Sequence, residues 1–446
     1  MGRGRMATAA AVAGALALTG GIAGGIAGCS AAAGGTSAGH HARHQAASTS
    51  PAGGPDPSSI GQPVTGLVPA QIARVYNVSP LWRRGINGAH QTIVVVDSFG
   101  SPTIARDLAA FDTAFNLRAP ASLRIIRPAG PVPRYRPTGG RTGWASETTL
   151  DVEWAHAIAP AASIVLAETP TAENEGRTGF PQIVTAEKYV LRHHLGQVIS
   201  QSFGATEETF RSPAQLKALR GAYQLADQDG VTVLAASGDN GASGETYNMK
   251  SVYARRVVEW PASDPLVTAV GGTQLRLSQA GRRRHPDVAW SDSGGGRSAV
   301  FSRPAYQNGV QSLAGGARAI PDISMDASCG SSVAIYASYP GAGPSRWQTI
   351  CGTSLATPLF AGVVAMADQV AGHPLGLINP AIYKMVAARD PGLVDVTSGT
   401  NTVTGSRDGK VVTIRGYPAR PGYDLVTGAG TVNAADFVPE LARLAG

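Results

Sequence analysis

Five short, mainly apolar runs constrain the fold of this chain more than any other feature. They are Thr92-Ile-Val-Val-Val-Asp97, Ser163-Ile-Val-Leu-Ala-Glu168, Gln197-Val-Ile-Ser-Gln-Ser202, Val231-Thr-Val-Leu-Ala-Ala236 and Leu266-Val-Thr-Ala-Val270. Helical patterning fills residues 104–115, 147–158, 180–194 and 213–228 between them. Strands that are apolar along their whole length must be covered on both faces, and strand–helix alternation supplies the cover. The pattern therefore predicts an α/β fold: a mostly parallel central sheet with helices on both faces. Ligand sites in such sheets gather at the carboxyl ends of the strands. Polar turns stand at those ends: Asp97-Ser-Phe-Gly, Ser202-Phe-Gly and Ser237-Gly-Asp-Asn-Gly.

A chain of 446 residues, 43% of them hydrophobic, can bury a large core. Its formal charge of +7 is modest for the length, and the basic residues are scattered except for Arg282-Arg283-Arg284, which follows a turn and reads as an exposed loop. No nucleotide- or nucleic-acid-binding motif is present, so no nucleic-acid partner is expected.

Residues 1–28 read as an export signal. Arg3 and Arg5 precede an uncharged stretch rich in Ala, Gly and Leu, which ends in Ile26-Ala27-Gly28-Cys29-Ser30. That ending resembles a bacterial lipobox, in which the cysteine is lipidated. An ordinary cleavable signal is the alternative. The reading places the protein outside the cell, held at the surface through a lipid on Cys29. Residues 29–62 are Ala, Gly, Ser, Thr, Pro and His with almost no large apolar side chain, the composition of a flexible linker. Globular sequence runs from residue 63 to 446. Cys329 and Cys351 are either two thiols or, in an exported protein, a bridge that would clamp the turn after Cys351.

That turn, Cys351-Gly-Thr-Ser354, opens directly onto a small and apolar run with Pro358 near its start. A proline is tolerated early in a helix. Ser354 thus falls at a helix N-terminus, where backbone amides favour negative charge. A serine there can be a nucleophile whose own N–H helps hold an oxyanion, or it can simply cap a core helix. A second segment, Ser146 to Pro160, reads as a helix capped by Ser146 and stopped before the proline. Glu147 and Asp151 are four apart and share one face. An acidic first turn explains Glu147 well and explains Asp151, among Leu150, Val152 and Trp154, less well. Two carboxyls held together can share a proton, which drives their apparent pKa values apart.

The chain resembles the sedolisin family of serine-carboxyl peptidases, which have a subtilisin-like fold. Three motifs agree in order and spacing: Glu147-x-x-x-Asp151 before His-Ala-Ile-Ala-Pro, Ser237-Gly-Asp239-Asn-Gly241, and Gly352-Thr-Ser354. The resemblance spans residue 63 to the end and marks 63–446 as a peptidase domain. It implies that Ser354 is the nucleophile, Glu147 its general base, Asp151 the group orienting Glu147, and Asp239 an oxyanion-hole acid. It further implies a monomeric endopeptidase that cleaves polypeptides in acid through an acyl-enzyme. The chemistry is coherent: a carboxyl donates a hydrogen bond only while protonated, and near pH ~4 a histidine is almost fully protonated whereas a glutamate is partly ionised. The resemblance also implies one Ca²⁺ ion, held by the carboxylates of Asp395 and Asp424 and the carbonyls of Val396, Arg420 and Gly422. Oxygen-only ligands suit that ion. Two departures stand out. Residues 30–62 are too short and polar to be the family's large propeptide, and Cys351 replaces the usual serine before Gly-Thr-Ser.

Two other readings compete. The order Asp97, His156, Ser354 matches a subtilisin-like triad, although His156 lacks that family's His-Gly-Thr context. A surface lipoprotein that keeps the fold as a non-catalytic binding module is the other.

Overall fold

The computed structural model describes residues 64–445 apart from 177, 279, 280 and 285. The export signal, the linker and Cys29 lie outside the described residues.

One eight-stranded sheet organises the molecule. Its strands are β1 (Thr92–Ser98), β2 (Leu123–Ile126), β3 (Ser163–Thr169), β4 (Val198–Gln201), β5 (Thr232–Ala236), β6 (Thr268–Gln274), β7 (Val288–Ala289) and β8 (Ile323–Asp326). The order is β8-β6-β5-β4-β1-β3-β2, with every neighbouring pair parallel, and β7 pairs antiparallel with β6. The five apolar runs supply β1, β3, β4, β5 and β6, which are almost wholly buried, as a sheet covered on both faces requires. β2 carries its apolar side chains half exposed at the sheet edge, so its sequence lacks the buried-strand signature. A separate hairpin, 403–407 with 410–414, turns on Asp408-Gly409. Both turn residues have positive φ, the conformation for which Asp-Gly is a recognised signal.

The helices that matter to the site are α1 (Ile104–Phe115), α2 (Gly139–Ile158), α3 (Phe180–Arg192), α4 (Gly221–Asp229), α5 (Thr353–Ala371) and α6 (Ala434–Ala445). α2 begins two turns before the expected Ser146. Thr138, in extended conformation, precedes it, and the Thr142 hydroxyl donates to the carbonyls of Thr138 and Gly139. From Trp144 to Ile158 nearly every α2 residue is buried, including Glu147, Asp151 and Glu153. α5 is the other central helix, packed on α2, α6 and strands β4, β5, β6 and β8. It is long and apolar enough to cross a membrane, but its apolarity serves burial on all sides. Gly362 makes the α2–α5 contact possible: a Cβ there would sit 2.6 Å from Cβ of Ile158. This close approach sets the middle of α5 against the end of α2.

Candidate active site

The Gly-Thr-Ser turn adopts a conformation that only glycine takes easily. Gly352 has φ 127°, and a Cβ on it would fall 2.6 Å from Asp239 Oδ2. Its N–H donates to the Ala327 carbonyl at 2.7 Å. Cys351, just before it, is bonded to Cys329 with the two Cα atoms 5.0 Å apart, which ties this turn to the segment after β8. Thr353 and Ser354 then open α5, and Ser354 is half-buried at the mouth of a cleft. Its N–H belongs to the first helical turn, where the helix provides no acceptor.

Three chain segments converge on this serine. Ser354 and the buried Glu147 carboxyl line the same cleft, and the serine lowers that carboxyl's proton affinity. Asp151, one turn along α2, lies 2.9 Å from Ser202 Oγ at the end of β4, and the same hydroxyl is 3.3 Å from the Ser354 carbonyl oxygen. That carbonyl needs an outside donor because Pro358, four residues on, has no N–H to give it. Ser202 has one proton for two acceptors. The Ser202 hydroxyl donates to Asp151 Oδ1 and faces the Ser354 carbonyl as its second acceptor, while burial pushes the Asp151 pKa well up, with the charges of Asp97 and Glu147 adding to it and the Ser202 bond opposing it. From the turn after β5, Asp239 Oδ1 accepts both the N–H and the hydroxyl of Thr353, at 2.8 and 2.7 Å.

The carboxyls act on one another's charge, and their protons are held accordingly. Burial raises Glu147 well above the usual carboxylate range, opposed by the Ser354 hydrogen bond and reinforced by Asp97 and Asp239. Burial likewise raises Asp239 to about 6, against the two bonds from Thr353. Asp97, fully buried at the end of β1, is pushed up to about 7. A lone glutamate titrating near pH ~4.3 is therefore the wrong picture for the base. The cluster titrates as a unit and keeps protons to higher pH.

The structure thus brings Glu147, Asp151, Asp239 and Ser354 together, with Asp97 behind them. It leaves out His156. That imidazole lies on the far side of α2, fully buried, with Nε2 3.1 Å from Asp112 Oδ1 on α1. The triad of Asp97, His156 and Ser354 is accordingly corrected: nine residues separate Glu147 from His156, which is half a turn out of phase on one helix.

The expected calcium site is also corrected. Among the described residues no group of three or more His, Cys, Asp or Glu side chains converges to hold a metal ion. The donor set runs the wrong way for a cation. Asp424 Oδ1 accepts the N–H groups of Val426 and Thr427, each at 2.8 Å, and its Oδ2 accepts that of Arg420 at 3.0 Å. Asp395 Oδ2 accepts the Gly422 N–H at 2.8 Å. Burial raises Asp424 to about 6. These aspartates, with Val396 packed in a small apolar cluster nearby, close turns in place of a metal. The membrane contact expected through a lipid on Cys29 is withdrawn as well. Cys329 and Cys351 are bonded to each other, leaving no free thiol among the described residues, and Cys29 is not one of them.

Four glutamates escaped the sequence reading: Glu173, Glu175, Glu245 and Glu259 line the same cleft as Ser354. They are spread over 86 positions, and no local pattern links them.

A mostly parallel sheet with a helix-borne serine and a buried carboxyl on one cleft defines a subtilisin-like architecture with a serine–carboxyl cluster. The chain belongs to the subtilase family, whose model matches residues 142–386. It is 30% identical over 383 residues to kumamolisin of Bacillus sp. (strain MN-32), covering 82% of this chain and 62% of the relative. It is 33% identical over 273 residues to sedolisin of Pseudomonas sp. (strain 101), covering 58% of this chain and 43% of the relative. This chain therefore spans less than two thirds of the length of those relatives. Among solved structures, Pseudomonas sedolisin, a serine-carboxyl proteinase complexed with two molecules of pseudo-iodotyrostatin, superposes with a TM-score of 0.69 at 25% identity. The match covers 86% of this chain and all of that one.

Proposed function

We propose that this protein is an extracellular serine-carboxyl endopeptidase that hydrolyses peptide bonds in acid through an acyl-enzyme on Ser354. The observation that carries the reading is the placement of Ser354 and the buried Glu147 carboxyl on one cleft, with the serine lowering that carboxyl's proton affinity. Similarity to kumamolisin and sedolisin supports it, and residues 63–446 are read as one catalytic domain. The disulfide fits an oxidising compartment.

The steps follow from the geometry. Ser354 Oγ bonds to the carbonyl carbon of the scissile peptide as its proton passes to ionised Glu147. The high proton affinity that burial gives Glu147 makes it a stronger base once ionised. The carbonyl oxygen becomes an oxyanion and accepts hydrogen bonds from the Ser354 N–H and the protonated Asp239. Glu147 then gives its proton to the leaving amine, and the C–N bond breaks. Water attacks the acyl-enzyme by the reverse proton path. Asp151 touches no substrate in this scheme; it orients Glu147 and, through Ser202, the first turn of α5.

The test is incubation of the purified protein with an unfolded polypeptide across pH 3 to 7. Internal cleavage that Ser354→Ala and Glu147→Gln each reduce by at least about 10⁴-fold is the expected result. Absence of cleavage at every pH would favour a binding module on the same fold.

A further inference from the structure

The cleft holds four carboxyls that the chemistry on Ser354 does not use, those of Glu173, Glu175, Glu245 and Glu259. Glu259 passes between two glycine walls. A Cβ at Gly204 would fall 2.8 Å from its Oε2, and one at Gly238, next to Asp239, would fall 2.7 Å from its carboxyl carbon. Glu175 is fixed by the Thr206 N–H, 2.9 Å from its Oε2. Glu173 is only 2% exposed, yet its Oε2 has no hydrogen-bond partner among the described residues. None of the four forms an ion pair with a described Lys, Arg or His.

Collecting four carboxyls in one largely buried space is unfavourable unless a counter-charge or protons accompany them. Protons are one such companion. Burial first, then the neighbouring carboxyls, raise Glu259 to about 8 and Glu175 to about 10, and burial raises Glu245 to about 7. A cation that enters makes charge-assisted hydrogen bonds instead, and the carboxyl that ionises releases its proton to solvent.

We propose that this end of the cleft is a subsite for a cationic side chain, lysine or arginine, on the substrate residue whose carbonyl carbon Ser354 attacks. The assignment rests on the peptidase reading. The side chain of that residue branches from the Cα bonded to the reacting carbonyl carbon, and Ser354, Asp239 and the glutamates border a single cleft. An apolar side chain there would leave the Glu173 carboxyl unpaired, whereas a lysine or arginine stem carries its charge to it.

Equilibrium binding separates this proposal from the peptidase reading. The Ser354→Ala variant is titrated calorimetrically at pH 6 with N-acetyl-Ala-Ala-agmatine, which ends in a guanidinium, and with the uncharged N-acetyl-Ala-Ala-hexylamide. The guanidinium ligand is expected to bind at least about tenfold tighter. Glu259→Gln in the same background is expected to bring the ratio toward one. Equal or weaker binding of the cationic ligand, including no binding, overturns the subsite, as does a ratio that Glu259→Gln leaves unchanged. The wild-type protein is digested in parallel with a mixed peptide library. Failure to cut any peptide overturns the peptidase reading and leaves the subsite to be decided by the titrations.

Discussion

Thr353 holds Asp239 by a single oxygen. Its N–H and its hydroxyl both donate to Oδ1, at 2.8 and 2.7 Å, while the Gly238 N–H, 3.2 Å away, occupies the threonine hydroxyl as an acceptor. The threonine proton is thereby committed to Oδ1, and a proton on Asp239 must sit on Oδ2, the oxygen facing Gly352. The arrangement selects which oxygen can donate.

Asp239→Ala is accordingly expected to lower kcat by about 10²–10³-fold, the loss of one oxyanion donor. Asp239→Asn should lose less, because its amide oxygen can keep the Thr353 bonds while its NH₂ still donates. The discriminating readout is the pH profile. Asp239 donates only while protonated, so wild-type activity should fall as pH rises through about 6. That limb should move upward in Asp239→Asn. A limb that stays in place would assign it to another group.

Ser202→Ala tests the link between α2 and α5. It removes one partner from Asp151 and one from the Ser354 carbonyl. The Ser202 bond lowers the Asp151 pKa, so its loss should raise the cluster further and shift the acidic limb of the rate profile to higher pH. A decrease of roughly tenfold in kcat is expected. Rescue by Ser202→Thr, which keeps a hydroxyl, would separate positioning from packing.

Stability should be greatest in acid. Burial raises Glu187 and Asp368 each to about 8 and Glu259 to about 8, against unfolded values near ~4. Between those limits the folded chain binds more protons than the unfolded one, so stability falls with rising pH. The stabilisation is fully present below pH ~4 and is lost as pH passes through 7 to 8. Thermal melts at pH 4 and pH 8 should differ by several degrees in that direction. A higher midpoint at pH 8 would contradict the burial of these carboxyls.

Reducing Cys329–Cys351, or replacing both by serine, should lower stability by about 3 kcal/mol, the chain-entropy scale for a loop of this length. Because Cys351 precedes the Gly352 turn, kcat should fall more than KM rises. Denaturant unfolding with and without reductant checks the first expectation, and peptide kinetics the second.

The sequence alone determined the layered α/β sheet, because buried parallel strands leave continuous apolar runs such as those of β1 and β5. It also determined the pairing of Glu147 with Asp151, since a spacing of four sets both on one helical face, and the place of Ser354 at a helix start, through Gly352 and Pro358. Half-exposed β2 left no such trace. Tertiary structure decided what distance along the chain conceals. It turned His156 toward Asp112, used the amides around Asp395 and Asp424 to satisfy those carboxylates, and gathered Glu173, Glu175, Glu245 and Glu259 at one cleft. The physical reason is that proton affinity and ligand geometry depend on burial and on neighbours in space. Tertiary packing fixes these, and that of α2 against α5 fixes the surroundings of Ser354.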